Sequence, residues 1–312
     1  MVFGAEILDD SCFKHRLELM QLSPWLRLLR PAHWIKNLVC LVGVFFFLRY
    51  DALPAALGVG LAFALISSAV YILNDLVDIE RDRTHPKKCH RPLASGEVGV
   101  REAWLAVVLF ALCSLILAFV INMKAGCCCA AYFVINVVYS FKFKHLPVVD
   151  AFCIALGFIL RLLAGIYVLD VLPNAWLALF TFSLSLFLGF AKRRAELVAM
   201  EDQIEAADRR PVLDHYSLSF LDGALDTSAA LAIVCYSLFI LMPSSLMLNP
   251  SLVVTVPLII FMILHYRRRL THPKYRIEPN RIIYHDRVMQ GCAILWLISF
   301  WCIQQFNLNW FK

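Results

Sequence analysis

Charge is scarce in this chain. Asp, Glu, Lys and Arg make up 17% of its 312 residues, against 61% apolar ones. That balance excludes an ordinary soluble domain, where charged residues run nearer ~25%. No Gly/Ser linker or low-complexity tract divides the chain, which argues against a string of domains. Eleven cysteines are present, yet no CxxC pair or Cys/His ligand spacing occurs. A zinc or redox site is therefore not expected, and the thiols read as small buried apolar groups. No cleavable signal peptide is evident, because the first 30 residues mix apolar groups with Asp9, Asp10, Lys14 and Arg16. Nor is there a clear His or Ser set for nucleophilic catalysis.

Long apolar runs fill the rest. Segments near the ~20 residues that cross a bilayer recur throughout. They are read at about 34–50, 53–73, 101–122, 125–141, 148–169, 174–191, 225–247, 251–266 and 288–306. The expected fold is an all-α integral membrane protein of nine transmembrane helices. One membrane domain (26–312) follows an N-terminal tail or interfacial segment (1–25). Lys and Arg are distributed unevenly. Twenty-five fall in the N-terminal segment and in the connections after spans 2, 4, 6 and 8, whereas Arg49, Lys124 and Lys312 alone fall on the other side. By the positive-inside rule the N-terminus and those connections face the cytoplasm. The net charge of +6 thus reports topology, and nucleic acid is not an expected partner. Trp34, Trp104, Trp176, Trp296, Trp301 and Trp310 read as an interfacial belt.

Against this background one stretch stands out. YILNDLVDIERDRTHPKKCHRPLASGEV (71–98) ends an apolar span and then packs in five carboxylates and five Lys or Arg. Asp75, Asp78 and Asp82 recur at i, i+3 and i+7, so a continuous helix would turn all three one way. Clustered carboxylates repel one another, and a hard divalent cation relieves that repulsion. Mg²⁺ takes oxygen ligands and is commonly held by one or two carboxylates plus substrate phosphates. Asn74 adds an amide oxygen. Arg81, Arg83, Lys87, Lys88 and Arg91 follow, stiffened by Pro86 and Pro92. Acid for a metal followed by base for phosphate is what a diphosphate site requires. A solvated loop tied by internal salt bridges would use the same residues.

Three further stretches carry polar groups at the same membrane face. RPAHWIKN (30–37) brings Lys36 and Asn37, YSFKFKHLPVVD (139–150) brings Tyr139, Lys142 and Lys144, and GFAKRRAEL (189–197) brings Lys192, Arg193 and Glu196. Each also reads as membrane anchoring or snorkelling. Arg161 lies about three turns inside span 5. An arginine at that depth is costly, so it reads as functional or as half of an intramembrane salt bridge.

These residues carry a resemblance. NDLVDIERD fits the NDxxDxxxD motif of the UbiA superfamily of intramembrane prenyltransferases. Together with RPAHWIKN, YSFKFKHLPVVD, ILRLLAGI and GFAKRRAEL, in that order from about Arg30 to Leu197, it is most similar to the polyprenyl-phosphate (decaprenyl-phosphate) phosphoribosyltransferase branch. The resemblance implies a UbiA-like bundle with a central cavity opening to the cytoplasmic side. It implies Mg²⁺ on Asn74, Asp75, Asp78 and Asp82, with the three aspartates catalytic. It implies phosphoribosyl diphosphate and a polyprenyl phosphate as substrates, held by Lys36, Asn37, Arg81, Lys87, Arg91, Tyr139, Lys142, Lys144, Arg161, Lys192, Arg193 and Glu196. The product would be a lipid-linked pentose donor for cell-envelope glycans. A homo-oligomer is compatible with this picture. Aromatic prenyltransferases of the superfamily carry a second Asp-rich motif. Here the matching connection begins KRRAEL, with Glu196 as its nearest acid, which favours the phosphoribosyl branch. The alternatives are an aromatic prenyltransferase with a polyprenyl diphosphate donor and, third, a membrane transporter.

Overall fold

The computed structural model describes residues 23–86, 88–201, 211–242, 249–273, 275–308 and 310. Lys87, most of the expected tail (1–22) and the last residues of the expected seventh span lie outside these. Among the described residues every regular element is a helix. In chain order the α-helices are α1 (Pro24–Leu29), α2 (Val42–Phe47), α3 (Leu53–Val77), α4 (Ile79–Arg83), α5 (Val100–Ile121) and α6 (Met123–Phe141). After them come α7 (Val149–Tyr167), α8 (Ala175–Glu201), α9 (Leu218–Leu241), α10 (Val256–Arg269), α11 (Asn280–His285) and α12 (Arg287–Gln305). Eight helical stretches among the described residues, built on α3, α5 to α10 and α12, are long and apolar enough to cross a membrane.

The first expected span takes another form. Pro31–Leu41 is a 3-10 helix that runs into α2. A 3-10 turn rises about 2.0 Å per residue and an α turn 1.5 Å, so these seventeen residues reach roughly 31 Å. A 3-10 helix aligns every third side chain. Trp34, Asn37, Cys40 and Gly43 therefore share one face, and that face meets the bundle. The Trp34 indole donates to Ser68 on α3, and Asn37 and Cys40 are buried. At Gly165 of α7 a Cβ would collide with the Cys40 backbone. Only glycine allows that crossing, and the crossing brings Asn37 against α7.

The core has two main parts. One gathers Phe63, Ile66, Tyr132 and Ala164 between α3, α6 and α7. The other joins α7, α8, α9, α10 and α12. Phe46 on α2 enters this second part, with ring centroids 5.1 Å from Phe239 and 4.8 Å from Phe300. Trp296 departs from the belt expectation. It sits within α12, packs on Phe45 and Phe46, and donates to Tyr236 Oη at 2.8 Å. Its indole N–H is satisfied inside the bundle and needs no headgroup region.

The charged connections meet at one end of the bundle. Lys144 reaches Asp78, Arg193 reaches Asp150, Arg194 reaches Asp222, Arg267 reaches Asp226 and Arg269 reaches Asp286. The segments that follow α3, α6, α8 and α10 are thus neighbours, as the Lys and Arg asymmetry requires.

Candidate active site

The acidic motif begins inside α3 and ends beyond it. The helix stops at Val77, and Asp78 (φ −95°, ψ 6°) joins it to the short α4. That break redistributes the three aspartates expected on one helical face. Asp75 and Asp82 converge, whereas Asp78 turns elsewhere. Asp75 is 2% exposed. It accepts two bonds from Arg30 Nη2, at 2.6 and 2.8 Å, and one from Arg91 Nη1 at 3.1 Å. The same Arg91 nitrogen donates to Asp82 Oδ2 at 2.7 Å. Asp78 instead accepts from Lys144 Nζ at 2.6 Å. Asn74 is half-buried at the end of the same helix turn.

The loop after α4 folds back so that Arg91 reaches both carboxylates. Cys89 and Arg91 backbone amides close turns onto His85 and Lys88, and Gly96 takes φ +82°, which glycine adopts without strain. Arg30 is set by its own left-handed backbone (φ 53°), at the junction of α1 and the 3-10 helix. Its guanidinium also lies 5.1 Å from the Tyr71 ring centroid. Arg30 belongs to the RPAHWIKN stretch but was not expected among the ligands. Burial pushes the Asp82 carboxyl above its ordinary value, and the charge of Asp75 adds to this. Arg91 opposes both without cancelling them.

Among the described residues no three His, Cys, Asp or Glu side chains converge as a ready metal cage. What the site holds is a pair of carboxylates sharing one cationic nitrogen. The donor set is hard oxygen throughout. Mg²⁺ bound by two carboxylates, with phosphate oxygens and water completing its shell, needs no more than this. The residues fit that mode, and Asp75 and Asp82 are the carboxylates that would hold the cation.

The other expected residues divide into three groups. Lys142, Arg81, Lys36 and Lys192 are exposed. Tyr139 is half-buried near the end of α6. Arg193 and Glu196 belong to a separate buried network. Arg193, 2% exposed, donates to Asp150 Oδ2 at 2.6 Å and to Glu196 Oε2 at 2.5 Å. Tyr216 donates to Asp150 Oδ1 at 3.0 Å and accepts from the Val148 backbone at 2.6 Å. Burial, with the charge of Asp150 acting the same way, pushes Tyr216 up to about 12, so it stays a donor. Val148 carries φ 67°, a strained value for a β-branched residue. The Asp150–Tyr216 pair holds that strained turn, and the turn carries Lys144 toward Asp78. Asp150 and Tyr216 were not expected in the site. Their partners come from distant segments, so sequence spacing gives no sign of them.

Arg161 forms the third group. It is 5% exposed and sits deep in α7. Its Nε donates to Asn37 Oδ1 at 2.8 Å, Nη1 to the Gly157 carbonyl at 3.1 Å, and Nη2 to Ser67 Oγ at 3.1 Å and Tyr132 Oη at 2.8 Å. Among the described residues Arg161 makes no salt bridge, so the intramembrane pair that stood as one expectation is not seen among them.

Comparison with known proteins gives the family. The family model described as "UbiA prenyltransferase family" matches residues 37–283. The chain belongs to the UbiA prenyltransferase family. This UbiA-family chain is 34% identical over 224 residues to a decaprenyl-phosphate phosphoribosyltransferase of Mycolicibacterium smegmatis, covering 70% of each chain. It is 30% identical over 278 residues to the protein of the same name in Mycobacterium tuberculosis, covering 87% of this chain and 91% of that one. Among solved structures it resembles a UbiA homolog from Archaeoglobus fulgidus bound to GPP and Mg²⁺. There the TM-score is 0.66 at 25% identity, over 91% of this chain and 100% of that one.

Proposed function

We propose that this protein transfers 5-phosphoribose from phosphoribosyl diphosphate to a polyprenyl phosphate of the decaprenyl type and releases diphosphate. The observation that carries the reading is the alternation of acid and base at Asp75, Arg91, Asp82, Asp78 and Lys144. It is a site made for a polyanion and its counter-cation. The names of the relatives point the same way.

The bond from the anomeric carbon to the diphosphate oxygen breaks, and a lipid phosphate oxygen forms the new bond to that carbon. Positive charge develops on the sugar, as in other glycosyl transfers. The lipid phosphate is already ionised near neutral pH, so no strong general base is needed. The main demand is to gather two polyanions against their mutual repulsion. Asp75 and Asp82, with Asp78 and Asn74 adjacent, would hold Mg²⁺, which when bound neutralises charge on the leaving diphosphate. Arg91, Arg30 and Lys144 are preset beside the carboxylates and exchange them for phosphate oxygens. Lys36, Arg81, Lys142 and Lys192, with Lys87 by its place in the sequence, supply further positive charge for the two polyanions. Tyr139 completes the proposed substrate-binding wall, and Arg193 and Glu196 support it from the Asp150 network as positioning residues.

In this reading Pro31–Phe47 spans the membrane as the first of nine segments, since its 3-10 rise makes up for its residue count. The charged end faces the cytoplasm, where phosphoribosyl diphosphate is supplied. The product is a lipid-linked pentose for envelope glycans.

A donor competition assay tests the reading. Labelled phosphoribosyl diphosphate is given with polyprenyl phosphate, and unlabelled polyprenyl diphosphate is added in excess with an aromatic acid. Undiminished label in the lipid phase is the expected result. Prenylation of the aromatic acid in place of lipid labelling would overturn it.

A further inference from the structure

A cavity of about 310 Å³ lies at the other end of the bundle from the carboxylate cluster. It sits where α6 begins, where α7 ends and along the connection to α8. The 19 residues of α7 separate it from the Asp150 end, about 28 Å at 1.5 Å per residue. Positive charge is scarce on this side, where Arg49, Lys124 and Lys312 are the expected Lys and Arg.

The cavity wall holds one cation and one anion that do not pair. Lys124 Nζ lies 5.5 Å from the Tyr167 ring centroid and has no carboxylate partner among the described residues. Asp170 is exposed and has no salt bridge among them either. Its charge reaches Arg49, but that guanidinium is tied to Asp51 at 2.8 Å and to the Leu169 carbonyl at 3.0 Å. The Asp170 backbone is left-handed, with φ 53°. Aspartate enters that region more readily than most residues, and the bond from Arg49 to the preceding carbonyl fixes the turn.

The helix ends order these charges. Asn122 caps α6, its Oδ1 accepting from the Lys124 and Ala125 amides at 2.9 and 3.1 Å. Its Nδ2 donates to the Tyr167 carbonyl at 3.3 Å and so joins the start of α6 to the end of α7. A helix carries partial positive charge at its N-terminus and partial negative charge at its C-terminus. The α6 side of the cavity is thus positive from both helix and Lys124, and the α7 side is negative from both helix and Asp170. A simple anion would gain the first and be repelled by the second, and a simple cation the reverse. A phosphate and an ammonium a few bonds apart satisfy both. At the rim Met123 is 67% exposed and Leu172 88% exposed. Apolar side chains left open at the end of a membrane bundle suit contact with lipid chains.

We propose that this cavity seats the headgroup of a phospholipid that carries a primary ammonium. The phosphate lies on Lys124 and the ammonium on Asp170, and the acyl chains leave over Met123 and Leu172. A primary ammonium offers three N–H donors to the carboxylate, whereas a quaternary one offers none, so an ethanolamine head is preferred to a choline head. A glycerol head brings no cation to Asp170. The seat does not depend on the proposed reaction, whose residues lie at the opposite end.

Native mass spectrometry of the full chain in detergent tests this. Phosphatidylethanolamine, phosphatidylcholine and phosphatidylglycerol with the same acyl chains are supplied in equal amounts. The ethanolamine lipid should be retained over each of the others by about fivefold, the discrimination that one exposed ion pair can supply. Asp170→Asn removes the charge and keeps a side chain that tolerates the left-handed backbone, so the preference should fall below about twofold. Lys124→Gln should lower retention of the ethanolamine lipid by about fivefold. Equal retention of the three lipids by the unaltered protein, preference for another of them, or an unchanged preference in Asp170→Asn overturns the seat. Soluble phosphoethanolamine carries the same charges without chains. At equal concentration it should leave the bound lipid in place, and displacement by it would contradict a membrane source for the ligand.

Discussion

Arg161 and Arg193 are both buried arginines on adjacent helices, and they are held in opposite ways. Arg193 lies between Asp150 and Glu196, with Tyr216 closing the other carboxylate oxygen of Asp150. Arg161 has an amide, a carbonyl, two hydroxyls and three ring faces, and no acid among the described residues. The first arrangement is complete within the protein. The second has no carboxylate partner among the described residues. Charge balance therefore separates two buried arginines that both read simply as basic groups of a membrane protein.

Breaking the balanced arginine has the largest expected effect on the fold. Arg193→Met leaves Asp150 buried and unpaired, and such a change costs about 3–5 kcal/mol. Unfolding in detergent measures it. Adding Asp150→Asn removes the stranded charge and recovers most of the loss. A melting temperature that does not move with Arg193→Met would dissolve the contrast.

Arg161→Met should do the reverse. It strands no carboxylate but leaves buried neutral acceptors unmet, so stability falls by about 1–3 kcal/mol, less than with Arg193→Met, whereas transfer falls at least hundredfold. That fall is roughly 2.7 kcal/mol of transition-state stabilisation at 1.36 kcal/mol per tenfold. Initial rates beside the melting curve show both halves. A variant that melts like Arg193→Met would make Arg161 structural.

Gly165→Ala sharpens the comparison from the backbone. Its added methyl meets the Cys40 backbone and forces the 3-10 helix away from α7. Overpacking of this kind costs about 1–3 kcal/mol. It should also separate Asn37 from Arg161, so binding and stability fall together, while the Arg193 network is untouched.

The smallest effect belongs to Asp82. Its carboxyl is held above the ordinary value chiefly by burial, so the folded protein binds a proton more readily there than the unfolded chain does. Ionised Asp82 then subtracts stability at neutral pH, and the penalty fades as pH falls through the raised value toward 3.8. Asp82→Asn should melt slightly above the parent at pH 7, with the gap closing on acidification, and should lose activity. An Asp82→Asn protein that melts below the parent at pH 7 would mean that Arg91 dominates.

Much of the fold was legible because a bilayer imposes a simple code. Apolar length and the Lys and Arg bias gave the expected spans and brought the charged connections together. NDLVDIERD stood out because so many acids at the end of an apolar helix are unusual. Less visible was the break at Asp78, which a run of good helix formers hides. The 3-10 helix left a trace in the threefold spacing of Trp34, Asn37, Cys40 and Gly43, but mixed residue types obscure it. Arg161 was visible as a charge out of place. Its partners were not, since Asn37, Ser67 and Tyr132 are ordinary residues brought together from three other helices. Asp150 and Tyr216 were hidden for the same reason.

The most direct measurement uses purified protein in detergent with Mg²⁺, polyprenyl phosphate and phosphoribosyl diphosphate labelled in the sugar. Label in the lipid phase and free diphosphate are counted together, with and without EDTA. The account predicts one diphosphate released per labelled lipid, abolished by EDTA. Diphosphate released without lipid labelling, or neither product from well-folded protein, would contradict it.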